Sequence, residues 1–190
     1  ETNRDSINTI ISDRALYEIY LPAFKAAVEK SNVVPIMSAY NKLNGTFCSS
    51  SDYLLDTILR KQFGFAGIVM SDWNAVHETR STLLCGLDIE MGTDLEMLPD
   101  PDYNKFWLAD PAIEMIRSGK VSEEYVDIKV RRILNTMVRL KVFGGRQEGK
   151  RNTEEHQDLA LKVAEEGIVL LKNEDILPIG KDVKTIAVIG

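Results

Sequence analysis

The run Gly67-Ile68-Val69-Met70-Ser71-Asp72-Trp73 constrains this chain more than any other stretch. Four apolar or glycine residues lead into a small polar residue, a carboxylate and an indole. Short apolar runs of this kind read as strands buried on both faces, the type found in parallel sheets. The carboxylate just past the strand end is not placed for packing. Two more runs, Val33 to Met37 and Leu87 to Met91, flank this strand at about 67–71, and helical stretches separate them. The resulting βαβαβ order predicts an α/β fold with a parallel sheet and right-handed crossovers. All three C-terminal strand ends then fall on one face.

Residues 1–11 open polar and read as loop. Ser12 is a good N-cap, and Leu16, Ile19, Tyr20, Phe24, Ala27 and Val28 follow at helical spacing. Pro22 inside that pattern predicts a kink or a break, and Pro35 weakens the strand at 33–37. A polar loop from Ser38 ends in the Asn44-Gly45 turn. Ser51 caps a second amphipathic helix, with Gly64 as its stop. The spacing predicts further helices over roughly 75–85, 102–118 (broken by Asp110-Pro111), 122–142 and 154–166. Residues 184–189 read as a strand. The Gly-rich, charged stretch from Gly144 to Asn152 is the best linker.

Composition excludes several classes. The chain has 190 residues, a net charge of −6 and 44% hydrophobic residues. That acidic balance argues against nucleic acid as a partner. No apolar run approaches the roughly 18 residues of a membrane span, and no membrane partner is expected. No segment has the plan of a signal peptide, which leaves localisation open with the cytoplasm slightly favoured. Cys48 and Cys85 lie too far apart for a metal motif and read as free thiols. His77 and His156 have no third ligand in register. The acidic run Asp94, Glu96, Asp100 and Asp102 lacks the pattern of a calcium loop and reads as a solvated face.

The strand ends deliver chemistry. The first brings Met37, Tyr40 and Asn41, the second Asp72 and Trp73, the third Glu90. A carboxylate beside aromatic rings suits sugar chemistry. Rings stack on a pyranose face, and the carboxylate attacks or stabilises an oxocarbenium-like centre. Each residue also has a plainer reading. Asp72 caps a following helix; Trp73, Tyr40 and Met37 pack in a core; Arg4 makes a surface ion pair; Glu90 is a buried carboxylate that orients its neighbours.

The segment 34–45, with Met37-Ser38-Ala39-Tyr40-Asn41 and Asn44-Gly45, resembles glycoside hydrolase family 3, the β-glucosidase family. So do Gly64 to Trp73, Gly86-Leu87-Asp88-Ile89-Glu90-Met91, and Glu166 to Glu174 with its Ile168-Val169-Leu170-Leu171-Lys172-Asn173 core. The order and gaps fit over nearly the whole chain. The resemblance implies the C-terminal half of a (β/α)8-like, TIM-type barrel at 1–143, a linker at 144–153, and the start of an α/β sandwich domain at 154–190. It implies retaining hydrolysis of terminal β-glucosyl or related β-xylosyl residues. Asp72 matches the nucleophile, and Arg4, Met37, Tyr40 and Trp73 match substrate-binding positions.

Two departures matter. The family's Lys-His pair is absent, and so is the acid/base carboxylate of its β-glucosidase-like branch. Both are expected in the remainder of the same polypeptide. The Ser-Asp-Trp strand end favours that branch over the β-N-acetylglucosaminidase branch. The expected substrate is a β-glucoside or oligosaccharide, with no metal or organic cofactor. The alternative is a non-catalytic sugar-binding or structural polypeptide.

Overall fold

The computed structural model describes residues 2–92, 102–145 and 148–189. Two compact units divide the chain, Glu1–Gly145 and Arg146–Gly190. The expected acidic run at 94–101 lies outside the described residues, apart from Asp102.

The first unit is built on the predicted parallel pair. Strand β2 (Pro35–Met37) runs parallel to β5 (Ile68–Met70), with Ile36 opposite Val69. Pro35 sits at the first position of its strand, where a missing N–H is tolerated. The third expected strand is reduced to a single parallel bridge between Met70 and Ile89. It is still tied to β5, because Ser71 N–H donates to the Ile89 carbonyl at 2.9 Å. The parallel order is therefore as read from the sequence, and the chain is α/β.

Helices cover the sheet. Ser12 caps α1 (Asp13–Ala15) through its hydroxyl, and a wide π-type turn over Leu16–Tyr20 follows. Then α2 (Leu21–Ser31) begins with Pro22 in its first turn. The proline thus falls where its absent donor costs little. Ser51 caps the wide helix Tyr53–Gln62, with its hydroxyl accepting Leu54 N–H at 3.2 Å. Leu55, Ile58 and Leu59 of that helix pack with Val69 and Leu87 in the main core. Val69 and Leu87 are fully buried, which stabilises by about 1.5–3 kcal/mol per side chain.

The helix expected over 75–85 is shorter, with α3 spanning Thr79–Leu84. Residues 72–75 form a tight turn instead, and Ala75 and Val76 are buried in it. Residues 102–118 give only a 3-10 turn, Tyr103–Lys105, and α4 (Asp110–Arg117). The long α5 (Glu124–Arg139) follows.

Helix α5 buries only part of its apolar face, with Val126 packed against the smaller core of Leu83, Ala112 and Val121. Val130 and Leu140 are exposed, while Lys129 and Thr136 are buried. The Lys129 ammonium donates to the carbonyls of Thr82, Cys85 and Leu87. It caps the C-terminus of α3, and burial pulls its pKa down. Beside it, the fully buried Asp88 carboxylate binds Arg60 at 2.6 Å and Arg132 at 3.1 Å. Buried charges persist only when paired and hydrogen-bonded in this way.

Residues 1–11 are not all loop. Strand β1 (Asn8–Thr9) pairs parallel with β3 (Lys42–Leu43), which turns back into β4 (Thr46–Phe47). The turn is Asn44-Gly45, both at positive φ, as a two-residue hairpin requires. Asparagines extend this short ladder. Asn44 exchanges hydrogen bonds with the Ile11 backbone at 2.9 and 3.0 Å, and Asn8 Oδ1 accepts Gly45 N–H at 2.8 Å.

The second unit holds α6 (Glu154–Gly167), capped by Thr153. The strand expected at 184–189 does not form, and 168–171 is not a strand either. A lone apolar segment cannot make a ladder without a partner, and none lies beside it among the described residues.

Candidate active site

Strand β5 ends at Met70, and Ser71 turns inward. Its hydroxyl is completely buried and accepts Met91 N–H at 2.8 Å. That contact fixes the strand end and leaves Asp72 facing the cavity. The nearest helix starts at Thr79, so Asp72 is not a helix cap. Its Oδ1 accepts the Trp73 N–H at 2.7 Å.

A cavity of about 280 Å³ lies at these strand ends, lined by Arg4, Met37, Ser38, Ala39, Tyr40, Asn41 and Asp72. It brings together four of the five residues singled out from the sequence. The Arg4 guanidinium stands over the Tyr40 ring, 4.7 Å from its centre. It also lies 3.8 Å from Asp5. Burial, and then the hydrogen bond to Asp72, push the Tyr40 phenol above its ordinary range, while Arg4 pulls it back. Met37 is 57% exposed, so its plainer reading as a core residue fails.

Trp73, the fifth residue, does not line this cavity. It is 53% exposed and packs by its root against Gly92. Asn41 lines the cavity, but its amide is spent on Thr9 and the Lys42 carbonyl. Glu90 faces elsewhere. Its two oxygens accept the N–H groups of Trp107 and Leu108 at 3.1 and 2.7 Å. Burial raises its pKa, and these two bonds oppose the rise. Glu90 is thus an orienting carboxylate that pins the segment before α4.

His77 stacks on Phe47 at 3.8 Å. Among the described residues no cluster of His, Cys, Asp and Glu could hold a metal ion. Cys48 and Cys85 are free thiols, and burial pushes Cys48 up to about 11. Among the described residues no helix is long and apolar enough to cross a membrane.

Sequence reasoning missed the buried group of Arg60, Asp88, Arg132 and Lys129. One signal was available. An aspartate inside the apolar run 87–91 must find a cation, and Arg60 and Arg132 lie in flanking helical patterns.

Comparison with known proteins bears on the family of the chain. Residues 2–136 match the family model described as the glycosyl hydrolase family 3 N terminal domain. A β-glucosidase of Bacteroides ovatus is 42% identical over 173 residues, which is 90% of this chain and 23% of that protein. The β-glucosidase 3B of Thermotoga neapolitana, solved with glucose, superposes with a TM-score of 0.78 at 40% identity, covering 95% of this chain and 25% of that one. The β-glucosidase DesR of Streptomyces venezuelae, solved with D-glucose, superposes at 0.80 with 36% identity, covering 95% and 24%. The chain thus spans about a quarter of the length of these relatives.

Proposed function

This chain belongs to glycosyl hydrolase family 3, and from that premise we propose that it is part of a retaining β-glucosidase whose nucleophile is Asp72. The observation that carries the reading is the cavity in which Asp72, Tyr40 and Arg4 meet at the ends of parallel strands. Its relatives are named β-glucosidases, and two of their structures hold glucose.

In the proposed reaction Asp72 attacks the anomeric carbon of a terminal β-glucosyl or β-xylosyl residue. A bond forms between its oxygen and that carbon, and the bond to the leaving oxygen breaks. The Trp73 amide holds Oδ1, which gives Oδ2 the attack. A second carboxyl group, in its acid form, protonates the leaving oxygen and then, as the carboxylate, takes a proton from the water that releases the sugar. Asp72 is the one carboxylate lining the cavity among the described residues, so the proposal assigns the second to the rest of the polypeptide. Tyr40 donates to Asp72, Arg4 and Met37 line the glycone pocket, and Trp73, next to Asp72 in the chain, is assigned to substrate binding through the family resemblance. Residues 1–143 then form the C-terminal half of a (β/α)8-like barrel, 144–153 a linker, and 154–190 the start of a sandwich domain.

A second reading rests on the same single carboxylate. The chain alone binds sugar without turnover. One experiment separates the two. The chain is incubated with an activated aryl 2-deoxy-2-fluoro-β-glucoside, whose leaving group departs without protonation, and its mass is measured. Trapped glycosyl-enzyme that is absent in Asp72→Asn supports the enzyme. No adduct on folded chain, while full-length polypeptide labels, supports the binding-only reading. No adduct on either overturns the nucleophile assignment.

A further inference from the structure

Gly92 adopts φ +66°, the left-handed region that side chains rarely occupy. Space forbids a side chain there as well. A Cβ on Gly92 would sit 2.5 Å from Trp73 Cγ, 2.7 Å from its Cβ and 2.8 Å from its Cδ2. These atoms are at the root of the tryptophan. The indole cannot yield by swinging its tip, so χ1 or the backbone must move.

The segment carrying Gly92 is itself held from two sides of Trp73. Met91 N–H donates to the Ser71 hydroxyl at 2.8 Å, and the Met91 carbonyl accepts Asn74 N–H at 3.2 Å. Asn74 takes a positive φ of 59° to make that contact. Residues 71 and 74 thus clasp Met91 and set Gly92 against Trp73, one of the two residues between them. Without this clasp an indole 53% exposed would be free to choose among rotamers.

We propose that Gly92 is a positioning residue for the candidate site, a seat that fixes the Trp73 indole next to the cavity-lining Asp72 and thereby sets affinity for the sugar ring. The effect on affinity rests on the glycosidase reading above; the seat itself does not. A stacked aromatic contributes only when its plane is held, so displacing it loses that contribution.

The chain has two tryptophans, so Trp107→Phe leaves Trp73 as the single indole. In that background Gly92→Ala and Gly92→Asn both add a Cβ, and asparagine tolerates the left-handed region. Gly119→Ala is the control for backbone strain alone, since Gly119 has φ +72° and nothing within 4 Å of its Cβ position. Trp73 emission and acrylamide quenching read the seat, and a glucose titration reads affinity. Both Gly92 variants are expected to shift emission to longer wavelength, raise quenching and weaken glucose about tenfold, with Gly119→Ala doing none of these.

Unchanged emission and quenching in folded Gly92 variants overturns the seat. Shifted emission with unchanged glucose affinity, where Trp73→Ala does weaken glucose, overturns its role in binding. No glucose binding by the parent or by full-length polypeptide sinks the glycosidase reading, and with it the affinity claim, while the emission result still decides the seat. Should Gly92→Ala fail to fold, its combination with Trp73→Ala decides. Folding restored by removing the indole supports the seat, because neighbours in contact couple; no restoration overturns it.

Discussion

Asp88 and Val69 are bonded in both directions. The Asp88 carboxylate accepts Val69 N–H at 2.8 Å, and Asp88 N–H donates to the Val69 carbonyl at 2.8 Å. A side chain thereby completes a ladder that a full third strand would otherwise supply. It does so three residues upstream of Asp72, on the strand that aims it.

Asp88→Asn is expected to destabilise the chain by about 3–5 kcal/mol, because it leaves Arg60 and Arg132 without their buried counter-ion. The urea midpoint at neutral pH measures this. A loss below about 1 kcal/mol would mean the network is relaxed enough to readmit water.

Glu90→Gln is expected to cost about 1–3 kcal/mol, since an amide presents one acceptor where two N–H groups need one each. The pH slope offers a second check. The folded state holds the Glu90 proton to higher pH than the unfolded chain. More protons are bound when folded, so this group's contribution falls as pH rises from the ordinary carboxyl range through the raised value. The glutamine variant should lack that slope when urea midpoints are compared with the parent.

Tyr40→Phe removes the phenol proposed to donate to Asp72 and leaves the ring under Arg4. A hydrogen bond to a charged group is worth about 1.5–3 kcal/mol, so trapping of the fluoroglycosyl adduct should slow about 10- to 100-fold. Circular dichroism should be unchanged. An unaltered rate would remove Tyr40 from the mechanism.

Cys48 titrates near 11 when folded against an ordinary 9.0. The folded chain binds the proton more tightly, so stability from this group is present below pH 9.0 and is lost as pH rises through about 11. Cys48→Ala should flatten the alkaline fall in urea midpoint relative to the parent, by up to about 3 kcal/mol. Equal slopes would show that the thiol reaches solvent.

Much of this was legible in the sequence because local rules and burial agree there. Ser12, Ser51 and Asn44-Gly45 act as read, and the two apolar runs around Ile36 and Val69 pair as parallel strands. The strand-end rule also put Tyr40 and Asp72 on one face. What escaped detection is long-range or polar. Lys129 occupies a position that periodicity reserves for an apolar residue, because three carbonyls at the end of α3 need a donor. Residues 75–78 read as helix but only follow the turn in which Asn74 meets Met91, and the helix starts at Thr79. Strand β1 is too short to give a period, its partner is the distant strand β3, and the asparagine bonds that fasten it, Ile11 to Asn44 and Gly45 to Asn8, span 33 and 37 positions. The 184–189 run has strand composition, but pairing is a property of two segments, and only one was visible.

That asparagine fastening has a consequence for Arg4. The cation of the cavity does not come from a strand end of the main sheet. It stands just ahead of the short ladder attached at Asn8, Thr9 and Ile11, and Ile11 itself packs against the main core. The pocket's positive charge is therefore held in place through asparagine side chains, while its carboxylate is held by the main sheet.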